Sequence, residues 1–412
     1  MKLTCVKVNG YKNLVNCEYN MDSFNVLIGA NNSGKSNLLE IFGFLDALLF
    51  GSDNTKHVIA STGVFPGRGY VKSKCDKSEK CSISIELEFN EDIESSNYRY
   101  WYFIKLEYFK KRVLSNDSVE MVDYGWISSE YLRYKNSKMT GIPKTVFERT
   151  GNEITRSAAA HKIEKIDASE AVVALITKIK DISDSLEASA RRGVEMIQLI
   201  AGTPVLYSSA YDIKNQPKGT GTANKMVINN GRISAVDIEE EIAKIINSED
   251  KDYFQEILSD ILNIKKINVL YLGKQGAGPI DIRLVVIEFN NGIASQINGL
   301  SDGTAVALNL ITCLFSNKYP VIAIEELENS IHPRLLKKLI RLIKNNFSHV
   351  QVILTTHSPV LLGMVQLDEV SIITNKENGE ARIERVKDKK ELVKKLSGPF
   401  SSFSDIFYIS EE

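Results

Sequence analysis

The 412 residues include only five cysteines, nine prolines and two tryptophans. The cysteines (Cys5, Cys17, Cys75, Cys81 and Cys313) are odd in number and scattered along the chain. Such usage excludes a disulfide framework, and the interval between Cys75 and Cys81 fits no usual zinc-ligand pair. Five reduced thiols in a cytoplasmic protein are the expectation. No window approaches the ~20 apolar residues that a membrane-spanning helix needs. Nor is there a secretory signal, because Lys7 and Asn9 interrupt the first apolar run. Net charge is −1, so the surface as a whole does not attract nucleic acid, and any such binding must come from a local patch. Internal repeats, low-complexity tracts and sustained heptads are missing too, which excludes long coiled-coil arms. Hydrophobic residues make up 43%, enough for a large core in one or two domains.

Against these absences one stretch stands out. Phe24–Ile28 reads as a buried strand, and Gly29 to Ser36 follows as G-x-x-x-x-G-K-S. Asn37 to Phe42 then opens a helix. Strand, glycine loop and helix in that order are what a P-loop requires. Gly29 and Gly34 allow a tight turn in which successive N–H groups face phosphate oxygens. The helix start adds its positive dipole end. Along the loop, Gly29, Asn31, Asn32, Ser33, Gly34, Lys35, Ser36 and Asn37 are the candidate nucleotide-binding residues. Lys35 can reach the β- and γ-phosphates, and the Ser36 hydroxyl can ligate Mg²⁺.

Around this motif the pattern alternates between strand and helix. Strands are expected at 3–8, 18–21, 81–89, 98–109, 119–127 and in a hairpin over 145–154. The strictly alternating Cys81 to Phe89 is the clearest of them. The helix opened at Lys35 is expected to reach Phe50. Residues 51–79 are rich in Ser, Gly, Lys and Asp and read as a mobile surface excursion. Helical spacing dominates 170–202 and 238–263. Pro204 to Tyr211 is a possible strand, and Lys214 to Arg232 a loop. Further on come strands at 267–272 and 282–289, a helix at 305–315, a strand at 321–324, and a helix from Pro333 to about Phe347. A strand at 350–355, one or two more after Val370, and a helix near 389–396 complete the expectation.

Val321 to Ile324 is an apolar run that ends in Glu325 and Glu326. A parallel strand beside the P-loop strand would deliver both carboxylates to the phosphates. Glu325 could hold Mg²⁺, and Glu326 could act as general base on the attacking water.

These motifs, in this order, resemble the ABC-class ATPase heads of RecF, SMC and OLD-like proteins, including AAA-labelled bacterial ATP-binding proteins of defence systems. Leu300 to Thr304 resembles the signature motif in its S-D-G-T form. Ile324 to Pro333 resembles Walker B plus the D-loop, and Leu354 to Pro359 the segment that carries the switch histidine. Glu325 replaces the usual aspartate, and Leu327 stands where proline is frequent. The resemblance implies an α/β P-loop NTPase: an ABC-ATPase head with an antiparallel β lobe and an inserted helical subdomain. It implies an N-terminal P-loop lobe at 1–160, a helical insertion at 161–262 and a C-terminal part of the core at 263–412. It further implies Mg²⁺-dependent ATP hydrolysis with ATP clasped between two copies. In that arrangement Ser301 and Gly303 of one copy would face the nucleotide of the other, and His357 would contact the γ-phosphate.

About 55 residues after His357 leave no room for a C-terminal nuclease of roughly 100 residues. A separate effector, a nuclease or toxin, is therefore the expected partner of an ATP-dependent homodimer or higher oligomer in anti-phage defence. The alternative is a RecF-like repair ATPase that binds DNA directly. Its candidate surface is Tyr98, Tyr100, Trp101, Tyr102, Phe103, Tyr108 and Phe109 with Arg99, Lys105, Lys110, Lys111 and Arg112. The competing reading of that stretch, an antiparallel sheet with one apolar face, fits the alternation better. A transporter subunit fits less well, since those carry an LSGGQ signature.

Overall fold

The computed structural model describes residues 1–73, 80–94, 96–115, 118–157, 166–207, 227–229, 232–234, 238–272 and 282–386. The chain forms two compact units. In its described residues the first comprises 1–25, 29–203 and 371–386, and the second 26–28 and 204–370. The helical stretch expected at 161–262 is shared out, with 172–201 in the first unit and 238–262 in the second.

The first unit is built on an antiparallel sheet. Its strands are β1 (Lys2–Asn9), β2 (Cys17–Asn20), β6 (Lys80–Ile93), β7 (Ser96–Ser115), β8 (Ser118–Asn136), β9 (Lys144–Thr150) and β10 (Glu153–Ser157), in the order β10-β9-β8-β7-β6-β1-β2. One face is apolar because the residues alternate. Ile83, Ile85, Leu87 and Phe89 of β6 are buried, as are Tyr100, Tyr102, Ile104, Leu106 and Tyr108 of β7. Helices α1 (Lys35–Phe50), α2 (Asp53–Thr62), α3 (Val172–Lys178), α4 (Lys180–Ser185) and α5 (Ala188–Ala201) belong to this unit. Of these, α2 and α5 pack on the sheet, and α1 packs on both of them. Nearly every face of α1 is buried, which explains its run of apolar residues.

Over 51–73 the chain differs from the expected surface excursion, whose remainder at 74–79 lies outside the described residues. Ser52 caps α2 by accepting a hydrogen bond from Thr55 N, and left-handed Gly63 ends it. A two-strand ribbon follows, β4 (Val64–Phe65) with β5 (Gly69–Tyr70). The helix was not legible because only Lys56, Ile59 and Ala60 are buried in it. Strands β7 and β8 are much longer than the apolar patterning alone suggested.

A buried ionic clip ties β8 and β9 to the segment before α3. The Glu130 carboxylate accepts from Val172 N (2.6 Å), Val173 N (3.1 Å) and Tyr102 Oη (3.0 Å). It thus caps the start of α3. Arg149 donates to the carbonyls of Gly151 (2.6 Å), Asp167 (3.0 Å) and Glu170. Both side chains are fully buried. Burial raises the Glu130 pKa, against the pull of its donors and of Arg149.

The second unit contains β3 (Phe24–Ile28) through its residues 26–28, together with β11 (Val205–Tyr207), β17 (Val321–Glu325) and β18 (Gln351–Thr356), in the order β11-β17-β18-β3. Strand β17 pairs in parallel with β11 and with β18. Both β17 and β18 are almost wholly buried, as expected for inner parallel strands. Short strands β12 (Val227–Asn229) and β13 (Arg232–Ser234) pair with each other. Helices α6 (Ile238–Ile246) and α7 (Lys251–Leu262) precede a second antiparallel sheet of β14 (Ile264–Leu272), β15 (Ile282–Phe289) and β16 (Ala294–Gln296). Helix α8 (Asp302–Phe315) is buried from Ala305 onward, and α9 (Pro333–Asn346) is amphipathic, with Lys337, Lys338 and Arg341 exposed. Helix α10 (Pro359–Leu362) follows β18, and the hairpin of β19 (Val370–Asn375) and β20 (Ala381–Arg385) returns to the first unit. Among the described residues no helix is long and apolar enough to cross a membrane. Cys5, Cys17 and Cys313 are buried free thiols, whereas Cys75 and the helix expected near 389–396 lie outside the described residues.

Replacing Arg149 with Met is expected to destabilise the first unit by about 3 kcal/mol or more, since it leaves three backbone carbonyls without their buried donor. Glu130→Gln keeps an acceptor at the start of α3 and should cost less. Urea denaturation of the two variants measures the difference.

Candidate functional site

The glycine loop leaves the end of β3, whose five residues are all buried. Gly34 sits at φ 109°, in the left-handed region, and a Cβ there would come within 2.9 Å of the Asn13 amide. Only glycine satisfies both constraints. Gly34 also begins α1, and no side chain caps that helix start. Its first N–H groups are therefore left for an anion. Lys35 is buried and donates to Gly29 O (2.7 Å) and Ala30 O (3.0 Å), so its ammonium lies across the mouth of the loop. The Ser33 hydroxyl is buried without a hydrogen-bond partner. Ser36, Asn31 and Asn32 are exposed. An uncapped helix start, a buried ammonium and an orphaned hydroxyl together fit a polyphosphate. Ser36 supplies a hydroxyl of the kind that holds Mg²⁺ beside it.

Sequence reading missed what braces this loop. Asn13 Nδ2 donates to Ser33 O (3.1 Å) and to Asn375 Oδ1 (3.3 Å). Asn375 Nδ2 donates to Asn32 O (3.1 Å). Asn37, expected to bind nucleotide, uses its amide on Asn13 Oδ1 (2.8 Å). The loop is thus tied to the turn after β1, to the end of β19 and to its own helix. No local pattern marks Asn13 or Asn375, because the brace exists only once distant segments meet.

The second unit carries the carboxylates. Glu325 ends β17 and is half-buried. Glu326 has φ 51° and ψ 51°, a left-handed conformation uncommon for a residue with a side chain. Its N–H donates to Thr355 O (3.0 Å), and its Oε2 accepts from Asn329 Nδ2 (2.7 Å). His357 Nδ1 lies 3.3 Å from Glu326 Oε1. That is ion-pair distance, though the two are not aligned as a hydrogen bond. The imidazole therefore stands against the carboxylate expected to act as base. The strand arrangement also corrects the simple expectation: β17 is not the neighbour of β3, because β18, which leads to His357, lies between them. A local apolar pattern cannot give strand order.

Glu328 reaches the same place. Its Oε1 accepts from Thr356 Oγ1 and from His357 N (3.3 Å). Ser301 caps α8, its Oγ accepting from Thr304 N (3.3 Å). A Cβ on Gly303 would lie 2.5 Å from Ser330 O, so the signature segment and the D-loop are in direct contact. His332 caps α9 through Nδ1, with Pro333 at the first helical position.

The aromatic and basic stretch of β7 does not form one surface. Tyr100, Tyr102 and Tyr108 face the core, Arg99 pairs with Glu88 (2.5 Å), and Lys105 pairs with Glu107 (2.7 Å). The side chains of Lys111 and Arg112 lie outside the described residues.

Asn13→Ala and Asn375→Ala should each weaken binding of a nonhydrolysable ATP analogue by about tenfold, the scale of one or two hydrogen bonds. Calorimetry should show the double variant losing less than the product of the two, since both act on one brace.

The family described as "AAA domain, putative AbiEii toxin, Type IV TA system" matches residues 24–363. A Vibrio cholerae protein, "Retron Vc95 probable ATPase", is 22% identical over 194 residues, covering 40% of this chain and 37% of that protein. The "Septu protein PtuA" of Bacillus mycoides is 30% identical over 137 residues, covering 30% of this chain and 19% of that protein. The chain thus spans well under half the length of these relatives. The SMC head domain from Thermotoga maritima aligns with 94% of this chain and all of its own, with a TM-score of 0.42 and 15% identity. With the match running from the P-loop strand past His357, the chain belongs to the family of AAA domains so described.

Proposed function

We propose that this protein binds and hydrolyses ATP with Mg²⁺, dimerises around the nucleotide, and thereby controls a separate effector, a nuclease or toxin, in prokaryotic anti-phage defence. The observation that carries the reading is Glu326, held in a left-handed conformation with its carboxylate between Asn329 and His357. Strain of this kind persists where the surroundings over-determine a geometry, and such places cluster at active sites.

In this reading the loop N–H groups and Lys35 bind the β- and γ-phosphates, with Gly29, Asn31, Asn32, Ser33 and Gly34 shaping the loop. Ser36 and Glu325 would hold Mg²⁺, which would neutralise charge on the β- and γ-phosphates. Glu326 takes a proton from the attacking water, and His357 holds the carboxylate and would contact the γ-phosphate. Ser301 and Gly303 serve the nucleotide of a second copy. Support for that last role comes from Gly303 resting on Ser330, which makes the signature and the D-loop a single contiguous surface. The effector is supported by relatives named for retron and Septu systems. Direct DNA binding is less favoured, since the aromatic stretch of β7 is largely committed to the core and to ion pairs.

Lys35→Ala is expected to abolish ATP-analogue binding in calorimetry. Glu326→Gln should bind ATP normally, hydrolyse it about 10²–10⁴-fold more slowly, and accumulate as a dimer by light scattering when ATP is present. Hydrolysis at the parental rate would remove Glu326 as the base. For the partner, Glu326→Gln protein charged with ATP should retain a nuclease or toxin-like protein encoded beside it. DNA retained instead, by the purified protein alone, would favour the repair reading.

A further inference from the structure

Glu328 has no role in the chemistry above, yet it sits where two functional segments meet. It follows Glu326 by two residues, within the short turn Leu327–Asn329. One oxygen, Oε1, accepts both from the Thr356 hydroxyl and from the His357 backbone N–H. Those two donors are the last residue of β18 and the first residue beyond it. His357 N and Nδ1 thus face two carboxylates of one turn, Glu328 on the backbone side and Glu326 on the ring side. The other oxygen of Glu328 is buried and makes no hydrogen bond. A half-buried carboxylate with one oxygen enclosed and unpartnered has not been placed to maximise stability.

We infer that Glu328 is a positioning residue: it sets the backbone of His357, and through it the contact between His357 and Glu326, and it makes that contact depend on the D-loop. This rests on the ATPase reading. The chain of contacts is continuous within one unit. Gly303 of the signature rests on Ser330 O with no room for a Cβ. Ser330 follows Asn329, which holds Glu326 Oε2. Glu328, in the same turn, holds Thr356 and His357. A displacement of the signature or D-loop, such as a second copy docking on that surface would cause, therefore reaches both partners of the Glu326–His357 pair at once. Packed segments with so little spare room pass such shifts on rather than absorb them. Hydrolysis would then be licensed by what touches the D-loop as well as by nucleotide occupancy.

The test uses the full chain with Glu328→Ala, Glu328→Gln and Thr356→Val, read in two ways. The first is steady-state ATP hydrolysis. Glu328→Ala should lower kcat by about ten- to a hundredfold while KM stays within about twofold, as for a misplaced catalytic group. Glu328→Gln should recover most of the loss, because its amide oxygen can accept from the same two donors. The second reading is the ring resonances of His357 in protein carrying ¹³C-labelled histidine, without nucleotide; five histidines keep the spectrum simple. The His357 signal should move in Glu328→Ala and Thr356→Val and stay near its parental position in Glu328→Gln. An unmoved His357 signal in Glu328→Ala, or a Gln variant as impaired as the Ala variant, overturns the assignment. Should Glu328→Ala fail to fold, Thr356→Val decides by the same signal. If the parental protein hydrolyses no ATP, the ATPase reading fails while the resonance experiment still judges Glu328.

Discussion

The proposed hydrolytic step depends on Glu326 adopting a backbone conformation that its own side chain disfavours. A left-handed residue that is not glycine costs on the order of 1 kcal/mol or more. Here the surrounding contacts offset that cost: an N–H held by Thr355 O, a carboxylate oxygen held by Asn329, and an imidazole against the other oxygen. The left-handed turn matters because a strand can deliver only alternating side chains. Glu325, the last residue of β17, follows that alternation, and Glu326 breaks from it. Two adjacent carboxylates can then take up different tasks, one suited to a cation and one to a proton.

The glycine loop poses the opposite problem. Its useful groups are backbone N–H donors, which must stay unsatisfied by the protein and yet remain fixed. A capping side chain would hold them but also consume them. The three asparagines resolve the conflict by gripping the loop through its carbonyls, Ser33 O and Asn32 O, and leaving its N–H groups alone. Asparagine suits this because one amide both donates and accepts, so Asn13 can brace the loop and be braced in turn by Asn37. Lys35, resting on Gly29 O and Ala30 O, likewise keeps its charge close to the loop.

What could be read from the sequence follows from the range of each signal. The P-loop, with its strand and helix, depends on neighbours along the chain, and its elements appear within a residue or two of expectation. So do β15, the strand that ends in Glu325, and the helix begun by Pro333. Helix α2 was missed because its evidence is in its caps, Ser52 and Gly63, and not in an apolar stripe. The asparagine brace, the grip of Glu328 on Thr356 and the place of β18 between β17 and β3 all join residues far apart in sequence. Periodicity carries no information about such meetings.

The β7 stretch shows how a local cluster can mislead in the other direction. Aromatic and basic residues crowd together along the chain, but a strand sends neighbours to opposite faces. Tyr100, Tyr102 and Tyr108 therefore go to the core, and Trp101, Phe103 and Lys105 to the open face. There Lys7 meets Glu86 and Glu88, Arg99 meets Glu88, and Arg133 meets Glu148. An open pair such as Arg133–Glu148 contributes only about 0–1 kcal/mol, so stability alone does not explain the matching. Its consequence is for binding. Affinity for a phosphate backbone comes from cations that release counterions, and a cation already facing a carboxylate has few to release. Among the described residues this face, with Phe103 and Tyr131 stacked among paired charges, is a poor match to a polyanion. The same balance holds for the molecule at large, whose net charge is −1. With these cations paired and its net charge near zero, the chain has little means of long-range attraction to a polyanion.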